Sequence, residues 1–274
     1  MKSIAFGQYY PAKSVLHSLD PRIKILITVL YIISTFLCKN IFSFALLLLS
    51  ALVLVLLGRV PVRTVLRSIR PVLFILAFTA FLNVFWTQGA GDPLFSKWII
   101  KIYEEGIYNA IFIIVRIISL IIGTSMLLTY TTTPIALTDA IEDILSPLKK
   151  IGLPVHEFAM MMTIALRFIP TLIEETEKIM TAQKARGADF TSGSLIQRAK
   201  ALIPVLIPLF VSAFNRAADL ATAMECRCYH GGEGRTRMNV RHIRVRDIVY
   251  LILFVLFGAA LVAINMLGVG YTMG

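Results

Sequence analysis

Charge is scarce in this chain. Only 16% of its 274 residues are Asp, Glu, Lys or Arg and 57% are apolar, with a mean hydropathy of +0.79; soluble domains carry about a quarter charged residues. Apolar runs of membrane-crossing length recur along it, which excludes a single-core soluble enzyme, a disordered chain, a collagen-like repeat and a coiled coil. Cysteine is equally sparse. Cys38, Cys226 and Cys228 are too few and too badly placed for a disulfide framework, and the last two fall in a segment expected to face the reducing cytosol, so they read as free thiols. The sequence also lacks GxxxxGK[ST], GxGxxG after a strand, a DDxxD-like acidic pair and HExxH, so no catalysis is expected of this polypeptide. The N-terminal 20 residues hold no short apolar core with a small-residue cleavage site, and the first apolar helix is expected to stay in the mature protein.

What is present reads as an all-α integral membrane protein. Five apolar segments, 23–38, 41–58, 71–86, 106–130 and 248–267, have the composition of membrane-spanning helices. The first and third, about 16 residues each, are short for a hydrocarbon core of about 30 Å. Twenty-seven Lys and Arg against 16 Asp and Glu give a net charge of +11. Without an RNP-like, zinc-finger or helix-turn-helix pattern this excess does not point to nucleic acid. Its location is informative instead. The stretch RVPVRTVLRSIR holds Arg59, Arg63, Arg67 and Arg70 with no acid, and the N-terminus holds Lys2, Lys13, Arg22 and Lys24 against Asp20. Basic residues are retained on the cytoplasmic side, so the N-terminus and the 59–70 loop are expected inside, the 87–105 loop and the C-terminus outside.

The expected organisation is a four-span region 1–130, a cytoplasmic helical domain 131–247 in which charged residues mix with apolar ones at helical spacing, and a last span within 248–274. Pro170, Pro204 and Pro208 are expected to bend or start helices. The stretches 158–173 and 202–214 therefore read as broken, interface-lying segments, with long helices over 170–186 and 208–227. In the first, Ile169, Leu172, Ile173, Thr176, Ile179, Met180 and Gln183 share a face opposite Glu174, Glu175, Glu177, Lys178 and Lys184. In the second, Phe210, Phe214, Ala217, Ala221, Met224 and Cys228 are expected to form the matching stripe. Small residues among Ala213, Ala217, Ala218, Ala221 and Ala223 permit close helix approach.

The ends of these helices repeat. Thr181-Ala182-Gln183-Lys184-Ala185-Arg186-Gly187 and Thr222-Ala223-Met224-Glu225-Cys226-Arg227-Cys228 match at Thr, Ala and Arg with a constant offset of 41 residues. Each Arg either caps its own helix, beside the negative end of the macrodipole, or serves a partner. A cap needs only a cation. Arg in both copies, among small neighbours, suggests a planar donor entering a narrow acidic groove.

Together with Leu19-Asp20-Pro21-Arg22-Ile23-Lys24 and Ala165-Leu166-Arg167-Phe168-Ile169-Pro170, these ends make nearly the whole chain resemble the transmembrane (T) component of energy-coupling factor transporters, bacterial importers of vitamins and trace metals. The resemblance implies a cell-membrane scaffold with two long cytoplasmic coupling helices crossed as an X. Docking onto two ATP-binding-cassette ATPase subunits would use Ala185, Arg186 and Gly187 at one end and Cys226, Arg227 and Cys228 at the other. The second end keeps the central Arg and replaces both neighbours. ATP and Mg would be bound by the ATPases and no cofactor by this chain. The membrane spans and coupling-helix faces would hold a small substrate-binding membrane protein, the S component, and the identity of the transported vitamin or metal would reside there.

Other constellations carry less. Cys226-x-Cys228-x-His230 with His242 makes an incomplete zinc set, and Gly231-Gly232-Glu233-Gly234 reads as a flexible linker. Arg116 inside the fourth apolar segment is a candidate substrate contact or is paired within the protein. Arg235, Arg237, Arg241, Arg244 and Arg246 read as a positive-inside anchor against anionic lipid. Met160, Met161 and Met162, with Met180 and Met224, offer either a deformable partner surface or ordinary packing. The rival functions are a stand-alone secondary transporter or channel, which predicts inverted repeats of broken helices around intramembrane polar groups, and a membrane-bound enzyme, for which no carboxylate, Ser or Cys cluster is evident.

Overall fold

The computed structural model of the chain describes residues 9–86, 95–97, 100–231 and 242–267. The chain divides into two compact units, 1–137 with 240–274, and 138–239. The described elements are helical apart from one short hairpin, β1 (Phe95–Lys97) against antiparallel β2 (Ile100–Ile102).

In the first unit, α1 (Pro21–Leu37) begins where Asp20 accepts the Arg22 backbone N–H at 2.9 Å and Pro21 occupies a position whose N–H would have no helical partner. Its buried stripe, Ile23, Lys24, Ile27, Thr28, Tyr31, Ser34 and Thr35, recurs every three or four residues. Thr28 and Thr35 hydroxyls donate to the carbonyls one turn back, at 2.7 and 2.8 Å, so they enter the interior with their polar groups satisfied. α1 packs against α5 (Glu104–Thr124) and α9 (Val245–Met266), and α5 also meets α2 (Ile41–Gly58) and α4 (Leu73–Trp86). Close approach of α1 and α5 requires glycine at 123, where a Cβ would fall inside the Tyr31 ring. Phe44 and Phe112 stack at 4.8 Å between ring centroids, within a core that includes Leu47, Met126, Leu127, Tyr130 and Leu261. The α1–α2 turn is fastened to the end of α9: Asn265 accepts from the Lys39 N–H and the Ser43 hydroxyl, and Asn40 donates to the Ile264 carbonyl.

The basic 59–70 stretch is not an open loop. α3 (Val62–Ile69) turns Val65 and Ile69 inward and leaves Arg63, Arg67 and Arg70 exposed; it runs through one tight turn at Arg70–Val72 into α4. The third apolar segment is thereby part of a continuous 25-residue helical run, Val62–Trp86. Pro71 stands in that tight turn, where the run passes from α3 into α4, and does not break it.

The second unit corrects the expectation of proline-broken segments. α7 (Val155–Ala185) and α8 (Leu195–Glu225) are each continuous for 31 residues, with Pro170 inside the first and Pro204 and Pro208 inside the second. Each proline deprives the carbonyl four residues back, at Leu166, Lys200 or Pro204, of its helical donor. In helices this long the remaining ladder carries through. Among the described residues six helices are long and apolar enough to cross a membrane by length and composition, and they include α7 and α8. α1, at 17 residues, is one residue shorter than the shortest of the six.

Two cations inside the first unit are spoken for. Lys24, 2% exposed, donates from Nζ to the Thr131 carbonyl at 2.8 Å and to the Thr131 and Thr132 hydroxyls at 3.3 and 3.1 Å. Arg116, weighed above as a substrate contact, donates from Nη2 to the Cys38 carbonyl at 2.9 Å and lies 5.3 Å from the Phe44 ring centroid. It thus stands at the negative end of α1. Removing a buried donor strands its acceptors, at about 1–3 kcal/mol. Lys24→Met is therefore expected to destabilise the detergent-solubilised protein by about 2 kcal/mol, read as a lowered thermal midpoint; an unchanged midpoint contradicts the role.

Candidate functional site

The two Arg-bearing helix ends are built alike. After α7, the Gly187 N–H bonds the Lys184 carbonyl at 3.0 Å and the Ala188 N–H bonds the Gln183 carbonyl at 3.0 Å, with Gly187 left-handed at φ +90°. After α8, the Cys228 N–H bonds the Glu225 carbonyl at 2.8 Å and the Tyr229 N–H bonds the Met224 carbonyl at 3.0 Å, with Cys228 left-handed at φ +54°. Both are the paired-bond stop that closes a helix on a left-handed residue. Arg186 and Arg227 occupy the same position in it, immediately before the reversal. Glycine takes that conformation freely; cysteine takes it at a cost of about 1–2 kcal/mol. The departure of the second end from the first at residue 228 has not changed the form of the stop.

In each stop backbone N–H groups serve two of the last helical carbonyls, Gln183 and Lys184 at the first end and Met224 and Glu225 at the second. Among the described residues neither Arg186 nor Arg227 makes an ion pair or a side-chain hydrogen bond, and Ala185, Arg186, Gly187, Cys226, Arg227 and Cys228 are all exposed. Beyond the first end, Asp189 closes the chain back on itself, accepting from the Ser192 hydroxyl, the Thr191 N–H at 2.8 Å, the Thr191 hydroxyl at 2.9 Å and the Ser192 N–H at 3.2 Å. The Ser192 hydroxyl first, then Thr191, hold its carboxyl well below the usual carboxylate range. The turn is therefore fully held above the ordinary Asp value near 4 and loosens as pH falls below it toward the lowered one.

The packing faces come out differently for the two helices. On α7, Ile169, Leu172, Ile173, Thr176, Ile179, Met180 and Gln183 are all partly buried, as the periodicity predicts. On α8 the expected stripe is displaced. Phe210 and Phe214 are 61% and 71% exposed, and Ala217, Ala221 and Cys228 are exposed with them. The covered side is Ala201, Val205, Leu209, Ala213, Arg216, Leu220 and Met224. Both sides of α8 are apolar at four-residue spacing, so periodicity alone identified a stripe but not the one that packs. The reason is electrostatic: Arg216 on the covered side donates from Nη2 to Glu175 Oε2 of α7 at 3.1 Å, while its Nε lies 3.5 Å from Ser212 Oγ. Glu175, placed by pattern on the charged outer face, is drawn to α8 instead. Glu175 and Arg216 are themselves 41 residues apart, the offset already seen at the ends, and that coincidence was the available sequence signal.

Other candidates gather no site. Among the described residues no group of three His, Cys, Asp or Glu is disposed to hold a metal. Cys226 and Cys228 are exposed free thiols, and His230 is engaged with the Cys228 carbonyl at 2.8 Å. Gly232 to Gly234, Arg235, Arg237 and Arg241 lie outside the described residues. Met161 and Met162 are exposed while Met160, Met180 and Met224 are partly covered. Of the described part of the basic cluster, Arg244 starts α9 and Arg246 donates to the Ser18 carbonyl at 2.9 Å.

A strained residue at 228 predicts a local response to substitution. Cys228→Gly should slow amide hydrogen exchange at residues 226–229 about fivefold, the equivalent of about 1 kcal/mol. Cys228→Val, β-branched in a left-handed position, should speed it. Equal exchange in the two variants contradicts the assigned geometry.

Residues 12–238 match the family described as cobalt transport protein, CbiQ. The chain is also similar to curated proteins named energy-coupling factor transporter transmembrane protein EcfT. The one from Clostridium kluyveri is 51% identical over 249 residues, covering 91% of this chain and 92% of that protein. The one from Thermosediminibacter oceani is 47% identical over 273 residues, covering 100% and 98%, and the one from Bacillus subtilis 50% over 237, covering 86% and 89%. An all-α membrane protein with this similarity along its length belongs to the CbiQ family and is the transmembrane component of an energy-coupling factor transporter.

Proposed function

We propose that this chain is the force-transmitting subunit of the transporter, and that Ala185-Arg186-Gly187 and Cys226-Arg227-Cys228 each dock on one of two ATP-binding-cassette ATPase subunits in the cytoplasm of a bacterial cell. The observation that supports the reading is that each arginine is exposed at the same point of the same backbone stop, which is closed by paired backbone hydrogen bonds. A guanidinium offers a planar fork to a carboxylate, and small neighbours let backbones approach closely. ATP, together with Mg, is bound on the partners and hydrolysed there, and the membrane spans together with the apolar faces of α7 and α8 hold a substrate-binding S component for a vitamin or trace metal. Phe210, Phe214 and Leu206, exposed on α8, are suited to that contact. The N-terminus and the Arg-rich α3 lie on the cytoplasmic side, as the basic bias implies. ATP-driven approach of the two ATPases draws the Arg ends with it, and occupancy of the S component biases that approach in return, because coupling between sites is reciprocal.

The rival of a self-sufficient transporter draws nothing from the two intramembrane cations, since both are engaged within the bundle. The direct test is Arg186→Glu combined with Arg227→Glu, expressed with both ATPases. Insertion of the protein into the membrane should be unaffected and co-purification of the ATPases should fall more than tenfold. Paired Arg→Lys changes, which keep the charge and lose the fork, should weaken it by a smaller factor. Normal recovery of the ATPases with the double Glu variant refutes docking through these ends.

A further inference from the structure

The segment 10–19 that precedes α1 is a fixed wall. The Tyr10 N–H bonds the Tyr130 carbonyl at 3.0 Å, Leu16 and Leu19 are buried, and the Arg246 guanidinium holds the Ser18 carbonyl at 2.9 Å. His17 ties the segment to itself. In the neutral ring Nε2 donates to the Tyr10 carbonyl at 2.8 Å, which leaves Nδ1 to accept from the Ser14 hydroxyl at 2.7 Å. Between this wall and the last turn of α2 lies an open-sided cavity of about 690 Å³, within the range of roughly 300–1,000 Å³ usual for small-ligand sites.

The charge that lines it is of one sign. Lys13 and Arg59 are both exposed, make no ion pair or side-chain hydrogen bond among the described residues, and share the cavity with no carboxylate. The polar groups beside them are already used, Ser14 and His17 by each other and the Ser18 hydroxyl by the Val15 carbonyl. Two like charges on one cavity repel until an anion neutralises them. The backbone adds an independent observation. Arg59 ends α2 in the left-handed region at φ +51°, with its N–H on the Leu56 carbonyl at 3.3 Å. Glycine takes that conformation freely, and Gly58 stands one residue too early to take it. A strained backbone under a charged residue at a cavity wall is an outlier of the kind that ligand sites retain.

The apolar side of the cavity decides the kind of anion. Phe42, Ala45, Leu49, Leu52 and Leu56 are exposed along α2 at alternating spacings of three and four, one stripe that leads to Arg59. At 1.5 Å per residue it is about 21 Å long, more than the roughly 15 Å of one hydrocarbon leaflet. Leu56, 69% exposed, belongs to both the stripe and the cavity. An inorganic phosphate uses the cations and leaves the stripe uncovered; a diacyl lipid uses both.

We infer that this cavity is a binding site for an anionic phospholipid of the leaflet on which the N-terminus lies, with Lys13 and Arg59 on the headgroup phosphate and an acyl chain along the α2 stripe. The bound phosphate clamps the 10–19 segment to the end of α2. A zwitterionic lipid brings its own cation to the same place and is held less tightly. The site stands apart from the Arg186 and Arg227 ends and does not depend on what docks there.

The test titrates the assembled, detergent-solubilised transporter with phosphatidylglycerol, and separately with phosphatidylcholine, and counts bound lipids by native mass spectrometry. Phosphatidylglycerol should be retained at concentrations where phosphatidylcholine is not. Lys13→Gln and Arg59→Gly should each weaken the tightest phosphatidylglycerol about fivefold, and together about 25-fold. Arg59→Gly should at the same time raise the thermal midpoint of the lipid-free protein, because glycine relieves the left-handed strain, so loss of the lipid is not loss of the fold. Arg67→Gln, which removes an exposed arginine of α3 outside the cavity, should leave the affinity unchanged, and millimolar inorganic phosphate should not displace the lipid. Undiminished binding in Arg59→Gly, or equal weakening by Arg67→Gln, overturns the site in favour of diffuse surface charge. Displacement by inorganic phosphate overturns the lipid as its occupant.

Discussion

Every helix ends with carbonyls that have no helical donor, and at both Arg-bearing ends of this chain the same pair of backbone bonds meets part of that need. Gly187 and Ala188, and again Cys228 and Tyr229, turn back their N–H groups to close α7 and α8, and the arginine before each reversal is exposed with no side-chain partner among the described residues. The proposed docking rests on this shared presentation of a charged, forked donor. In the second unit the Glu175–Arg216 pair joins α7 to α8, and the prolines of both helices lie before it in the chain order of each helix.

The first unit obeys the opposite economy. Its interior cations are consumed internally, Lys24 by Thr131 and Thr132 and Arg116 by the Cys38 carbonyl at the end of α1. A charge at bilayer depth is costly until paired, and helix C-termini are its natural partners there. Close packing and polar groups knit its helices to one another, with Tyr31 seated on Gly123 and Asn265 holding the α1–α2 turn.

Much of this was legible in the order of the residues. The apolar segments, the packing face of α7 and the duplicated ends follow from hydropathy, a 3.6-residue period and a repeat of 41. The sequence was misleading where two physical signals competed. Pro170, Pro204 and Pro208 read as boundaries because a proline removes one hydrogen bond, yet a 31-residue helix has many others. RVPVRTVLRSIR read as a loop by its charge, although Val65 and Ile69 at four-residue spacing already described a helix with an arginine face. On α8 both sides are apolar at four-residue spacing, so periodicity does not distinguish them, and the covered side is the one whose Arg216 bonds Glu175. The stop at Cys228 was invisible, since a cysteine in the left-handed region has no signature in composition.

The central claim is that each Arg-centred end occupies a different ATPase subunit. Photo-crosslinking residues placed at Ala185 and at Cys226 of the assembled transporter test it most directly. The account predicts one covalent adduct to an ATPase from each position, formed independently, so that a chain bearing both crosslinkers captures two subunits. Crosslinks from either position confined to this chain itself, or to lipid, would contradict it.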